Sequence, residues 1–358
     1  MKVLWVRGNE HIGFNRPSTW FCLGLRGTAK SSLLEHIGLN YMANNAVWFD
    51  LFGSRDGEGL AMLRAPEARD KEVLLIRGDN VDVKSSFNVK LAEQLTVSDT
   101  EKYDIIISAS PLYLSPDQEF TSAATLTDVL YKRLHYKRLI YLLVREAANF
   151  YYSRLKVSEN QVAAKANMIY LIREARHMGI ALGLDSVRYY SIDIDIRSLT
   201  DYLILKSQGV QGLDSTLSWL YYFFNPTVIR SMAPQHFITI CKTGTLGLGT
   251  FPYHSWHKEE KEDILNEVGI SVEYGEVLKE AMDRGRYRTV SDKEHEQIIM
   301  FYLDQHMGMQ AIAGEISRSS KTIHDHITMH DQAIARSSFC PSCRRVGSKL
   351  SQTLCMGS

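Results

Sequence analysis

The residues of this chain best suited to chemistry are gathered in Phe21-Cys-Leu-Gly-Leu-Arg-Gly-Thr-Ala-Lys-Ser-Ser-Leu-Leu34. An apolar run ends in a loop bearing Gly24 and Gly27, and Lys30-Ser31 opens a stretch of helical pattern. A phosphate-cradling P-loop needs this order. Glycines let backbone N–H groups turn toward an anion, a lysine reaches over it, and a hydroxyl at a positive helix N-terminus holds Mg2+. Gly24, Gly27, Thr28, Ala29, Lys30, Ser31 and Ser32 are the expected nucleotide-binding residues. Ala29 stands where such a loop usually places its last glycine, and a methyl is tolerated there if the residue keeps φ below zero. The plain alternative is a glycine-bearing strand-to-helix turn with a chance lysine.

Hydrolysis needs, in addition, an acid on a neighbouring strand that orients Mg2+ or polarises the attacking water. Leu139-Ile-Tyr-Leu-Leu-Val-Arg-Glu146 is an apolar run that ends in one. Two acids commonly close this strand; here Arg145 takes the first place. Glu146 is then the expected base, and Ser31 and Asp50 the expected Mg2+ contacts. The alternative is that Arg145-Glu146 caps a core strand as a solvated ion pair. Arg173, Arg176 and Arg188 are candidates for a guanidinium that neutralises transition-state charge from a neighbouring subunit. For each of them a surface ion pair is the ordinary role. The polar tip Asp185-Ser186 of a further apolar run could sense the terminal phosphate.

The elements that must position these groups alternate. Strand patterns cover 18–23, 45–51, 72–77, 104–108, 137–147, 179–188, 201–206 and 236–242, with helical patterns at 31–42, 121–135 and 160–177. Alternation of this kind predicts a largely parallel α/β sheet. Residues 1–17 read as a leader covering a sheet edge, and the glycine-rich loop 53–59 falls where open α/β sheets bind ligands. Tyr-His-Ser-Trp-His-Lys-Glu-Glu-Lys-Glu-Asp, ending at Asp263, marks a charged boundary beyond which every signal is helical. The expected domains are 1–252, 253–336 and a cysteine-containing tail over 337–358.

The P-loop, a second strand ending in an Asp-and-glycine loop, an acid-terminated strand, Arg173-x-x-Arg-His-Met-Gly-Ile-Ala-Leu182 and a polar-tipped strand together resemble the HerA/FtsK-type ring ATPases. These DNA pumps include viral packaging ATPases and conjugative coupling proteins. Arg26 inside the loop looks more like the related large terminases. The resemblance covers about residues 18–245. It implies a RecA-like P-loop NTPase fold, ATP and Mg2+, a homo-oligomeric ring such as a hexamer, and double-stranded DNA in its channel. The chain departs from the pattern at Ala29, at Arg145, and at Ser186 where a glutamine often stands. These departures bear on the rate of hydrolysis more than on nucleotide binding.

Near the C-terminus, Met309-Gln-Ala-Ile-Ala-Gly-Glu-Ile-Ser-Arg-Ser-Ser-Lys-Thr-Ile-His-Asp-His-Ile327 places Ile312, Ala313, Ile316, Ile323 and Ile327 as the core of two short helices joined by a tight turn. The pattern resembles a helix-turn-helix, which implies that Arg318, Ser320, Lys321, Thr322 and His324 face DNA. Helical hairpins that dock protein share this pattern. Cys340-Pro-Ser-Cys343 is half of a zinc knuckle, with His326 and His330 as the residues that could complete it; a reduced tail is the alternative. Cys22 and Cys241 lie in apolar runs and read as core.

Composition narrows the classes. Lys+Arg and Asp+Glu number 41 each among 358 residues, so any nucleic-acid surface must be local. No apolar run reaches the roughly 18–20 residues that span a bilayer, and the opening residues have too short an apolar core for a signal peptide. Five scattered cysteines make no disulfide framework. A cytoplasmic protein with no membrane partner is expected.

Overall fold

The structure is a computed structural model that describes residues 1–53, 57–133, 135–150, 152, 160–257, 264–274, 292–316, 318, 320, 322–324, 326–328 and 330. Its contacts divide the chain into two compact units, Met1–Gly275 and Glu276–Ser358.

In the first unit the strands are β1 (Lys2–Arg7), β2 (Thr19–Leu23), β3 (Val47–Phe52), β4 (Val73–Arg77), β5 (Val81–Lys84), β6 (Asn88–Leu91) and β7 (Ile105–Ala109). They continue as β8 (Ile140–Val144), β9 (Ile180–Ser186), β10 (Tyr202–Leu205), β11 (His236–Cys241), β12 (Leu246–Thr250) and β13 (Ser271–Tyr274). The main helices are α1 (Lys30–Ala43), α2 (Pro116–Tyr131) and α3 (Asn160–Glu174).

Eleven strands form one sheet in the order β1-β12-β11-β10-β2-β9-β8-β3-β7-β4-β6. From β10 to β6 every neighbouring pair is parallel, while β11, β12 and β1 close one side antiparallel. The central strands, such as Thr-Trp-Phe-Cys-Leu and Ile-Tyr-Leu-Leu-Val, are apolar at nearly every position because both faces are covered. On one face α1 packs Leu33, Leu34 and Ile37 against Trp20, Cys22 and Trp48. On the other, Leu126 of α2 and Met168 of α3 join Phe21, Phe49 and Leu142. Gly38 lets α1 approach closely, since a Cβ there would meet the Trp48 ring at 2.4 Å.

Three expectations change. The leader does not merely cover the sheet edge: Lys2–Arg7 is the edge strand, paired antiparallel with β12. The chain after Asp263 is not all helix, because β13 pairs with β5 in a second, two-stranded sheet. The division falls at Gly275 rather than after residue 252, because Ile264 is buried in the same core as Leu60 and β13 is tied to β5. Cys22 and Cys241 are buried free thiols, as their apolar runs predict.

The second unit contains helix Asp292–Ile299, which runs into a π-helical turn Met300–Asp304, and helix Met309–Ile316. Residues 320, 322–324, 326–328 and 330 are helical as well. Ile298, Ile299, Ile312, Ile323 and Ile327 form its buried cluster, with Ala313 and Ile316 packed against it.

Candidate functional site: the C-terminal edge of the parallel strands

β2 delivers the loop 24–29 to the C-terminal edge of the sheet, and α1 starts from it at Lys30. The loop is tied on both sides. Gly24 N–H donates to Ser186 O of β9 at 3.2 Å, and Leu25 N–H donates to Ser207 O beyond β10 at 3.2 Å. Gly24 must be glycine because a Cβ would meet the Lys206 Cβ at 2.6 Å. Thr28 Oγ1 donates to Leu25 O at 2.7 Å, and Lys30 Nζ donates to the same carbonyl at 3.1 Å. Lys30 thus lies folded over the loop with its ammonium beside backbone that would face an anion. Ser31 occupies the first turn of α1, half-buried, and Ser32 is fully buried beneath it. Arg26 is exposed at the tip of the loop.

Gly27 takes φ 72°. Ala29 takes φ 61°, so the condition under which a methyl is tolerated there without strain is not met. Its methyl therefore sits in the left-handed region that glycine normally fills, a conformation that costs an alanine about 1–2 kcal/mol.

Glu146 follows β8 on the same edge and is exposed. It too is left-handed, at φ 47°, and Asn149 Nδ2 donates to its Oε2 at 3.0 Å. Its backbone N–H donates to Asp185 Oδ1 at 2.5 Å. Asp185 closes β9, the strand that lies between β8 and the P-loop strand. Burial raises the Asp185 carboxyl to about 6 despite the opposing charge of Lys30.

Arg145 is not half of a solvated pair with Glu146. It is fully buried, with Nε donating to Asp50 Oδ1 at 2.8 Å and NH2 to Asp50 Oδ2 at 2.7 Å. Its NH2 also lies 2.8 Å from Glu35 Oε1, and its NH1 lies 3.5 Å from Glu58. Glu35, on α1, reaches His257 Nδ1 at 2.7 Å. Burial works against every charge in this knot. Asp50 is pushed up to about 6 by burial, whereas Arg145 and His257 hold Glu35 below the usual range. Asp50 and Glu35 in turn hold Arg145 well above its ordinary value. Asp50 also accepts from Trp48 Nε1 at 3.2 Å, so both its oxygens are occupied. This removes Asp50 from the expected Mg2+ contacts.

Among the described residues, the Ser31 hydroxyl and the carboxylates of Asp185 and Glu146 stand on this edge, with Glu58 beside them at 3.5 Å from Arg145. An all-oxygen set of this kind suits Mg2+. Sequence reasoning missed Glu35 and Glu58 as partners of Arg145, and His257 as the partner of Glu35. One signal was available: Glu35 interrupts the apolar face Leu33, Leu34, Ile37 of α1, where a charge must be paired.

Arg173 and Arg176 do not meet the P-loop of their own chain. Arg176 pairs with Asp201, whose Oδ2 accepts the Thr19 N–H at 2.9 Å at the start of β2. They stand at the opposite edge of the sheet, a strand length of ~17 Å away. Arg173 pairs with Asp195 at 3.4 Å. Arg188, exposed just past β9, is the arginine of the three that shares the P-loop edge.

In the second unit Ser320 and His324 are exposed and Thr322 is half-buried. Arg318 turns inward, its NH2 3.1 and 3.2 Å from the two oxygens of Glu294, a correction to its expected place on a DNA-facing surface. Lys321 lies outside the described residues, as do Cys340 and Cys343. His330 is buried, and His326 Nε2 lies 2.6 Å from Nδ1 of His295, a partner the sequence did not suggest. Among the described residues no group of three His, Cys, Asp or Glu is arranged to hold a metal ion, and no helix is long and apolar enough to cross a membrane.

No protein-family model matches the chain, and no curated protein sequence matches it. Among solved structures it is similar to the genome packaging NTPase B204 from Sulfolobus turreted icosahedral virus 2 in complex with ATP-gammaS. That match has 14% identity, covers 66% of this chain and 98% of that one, and has a TM-score of 0.39. The pCW3 conjugation coupling protein TcpA with ATPgS is similar at 15% identity over 74% of this chain and 70% of that one, TM-score 0.41. Thermomonospora curvata EccC (ATPases 2 and 3) is similar at 12% identity over 71% and 41%, TM-score 0.38. The functional reading rests on the residues of the site itself.

Proposed function

We propose that the chain is a P-loop ATPase that binds ATP at the C-terminal edge of β2 and uses its hydrolysis to move or package double-stranded DNA. The observation that carries the ATPase part is the conjunction on one edge of the loop 24–29, Lys30 folded over that loop, and the exposed carboxylate of Glu146. Backbone N–H groups of the loop and the N-terminus of α1 hold the phosphates, and Lys30 neutralises them. Glu146 accepts the proton of the attacking water. The Ser31 hydroxyl would hold Mg2+, which when bound would supply further charge neutralisation. Arg26 and Arg188 stand on this edge to meet developing charge, whereas Arg173 and Arg176 serve only if a neighbouring subunit presents its nucleotide to them.

The DNA part is supported by the order of the motifs and by exposed Ser320 and His324 in the second unit. The chain then works as a homo-oligomeric ring. A second reading, an ATP-binding regulator that hardly hydrolyses, is favoured by one observation: Arg145 fills an acid's place and engages Asp50. The first test is ATP binding by the full chain and by Lys30→Ala. Loss of binding with the thermal melt unchanged is expected, because the substitution removes a phosphate-neutralising charge and little core volume. Equal affinity in the two proteins overturns the P-loop assignment.

A further inference from the structure

In a P-loop site the carboxylate that orients the cation stands on a strand close to the loop. β8 does not offer it at the first position, since Arg145 is there and is bound to Asp50, Glu35 and Glu58. β9 lies between β8 and β2 and is therefore nearer the loop by one strand spacing, about 4.8 Å. At its end Asp185 is in register with Cys22, and Ser186 with Leu23, the residue that leads into the loop. Cys22 and Ala181, which alternates to the same side as Asp185, belong to the core on the α1 face. Asp185 thus shares the face from which Lys30 and Ser31 emerge. It is 7% exposed. Its Oδ1 accepts the Glu146 N–H, and Oδ2 makes no hydrogen bond among the described residues.

We propose that Asp185 is the positioning residue that orients the divalent cation, taking over from the strand-end acid that Arg145 replaces. This rests on the ATPase reading above. The competing role is structural, with Oδ1 pinning the left-handed backbone of Glu146. Asp185→Asn separates the two, because the amide keeps an oxygen acceptor and loses the charge.

The experiment uses the full chain with ATPγS and Mn2+ in place of Mg2+. Electron paramagnetic resonance reads Mn2+ affinity, and a parallel titration in EDTA reads cation-free nucleotide affinity. For Asp185→Asn we expect Mn2+ affinity to fall by ~10-fold or more, the scale for a lost outer-shell partner, with EDTA affinity and thermal melt unchanged. Asp185→Glu, which restores the charge, should recover part of the loss. Wild-type Mn2+ affinity in Asp185→Asn overturns the proposal, as does an equal loss in EDTA, which would make Asp185 a support of the loop. If Asp185→Asn fails to fold, the comparison passes to Asp185→Glu: Mn2+ affinity displaced by the extra methylene supports the proposal, and an unchanged one overturns it. Absence of ATPγS binding by the unaltered chain instead brings down the P-loop reading itself, and the proposal with it.

Discussion

Ala29, Phe52 and Glu146 are three of six non-glycine residues with left-handed backbone among the described residues; Phe52 ends β3, and Ala29 and Glu146 lie past the ends of β2 and β8 on the P-loop edge. The others are Asn45, Asn80 and His306, and asparagine and histidine tolerate that region better than most residues. Strain of this kind gathers where surrounding structure over-determines the backbone for a purpose. Ala29→Gly should therefore stabilise the protein, by about 1 kcal/mol, read as a higher denaturation midpoint with an unchanged slope. A midpoint that stays or falls would contradict the strain at this residue. The places of Lys30 at the start of α1 and of Glu146 past β8 were legible in the sequence because each is fixed by local spacing: a lysine after a glycine loop, an acid after an apolar strand. The left-handed φ of Ala29 and the bond from the Glu146 N–H to Asp185 were not, since the first depends on how the loop is tied down and the second on which strands lie side by side.

Among elements, α1 is the piece on which the others converge. Through Glu35 it meets Arg145 of the β8 end and His257 of the segment after β12, and through His36 it meets His254 at 3.0 Å. Arg145→Met would leave Asp50 and Glu35 buried without their partner, at a cost of roughly 3–5 kcal/mol. A loss below about 1 kcal/mol in chemical denaturation would show that the knot is not held as described. His36 offers a titration test. Burial first, then the nearby amino terminus and His254, lowers it from 6.5 to about 4. The folded state therefore resists a proton that the unfolded chain accepts, and this share of stability is full above pH 6.5 and lost as pH falls toward 4. Asp50, raised to about 6, acts with the opposite sign in part of this window, so the difference between wild type and His36→Gln is the quantity to follow. The variant should lose less stability between pH 6.5 and 4; parallel curves would contradict the shift. The buried parallel strands were readable to within a few residues because they are continuous apolar runs. β1, β5, β6, β12 and β13 were not, being exposed, short or glycine-bearing, as in Leu-Gly-Leu-Gly-Thr.

On the scale of the whole molecule, the sheet carries two chemically distinct edges and a second unit carries its own small isoleucine core. The α/β class was legible from alternation alone. The extent of the first unit was not, because Ser271–Tyr274 gains its place by pairing with a strand almost two hundred residues earlier in the chain. If the two units serve one motor, nucleotide turnover must respond to DNA. The most direct measurement is ATP hydrolysis by the full chain and by Glu146→Gln, each with and without duplex DNA, alongside ATP binding. The wild type should hydrolyse ATP faster with DNA, and Glu146→Gln should bind ATP yet lose ~10²–10⁴-fold in turnover. Undiminished turnover in Glu146→Gln would contradict the assignment of the catalytic base, and ATP binding without turnover by the wild type, with or without DNA, would contradict the motor.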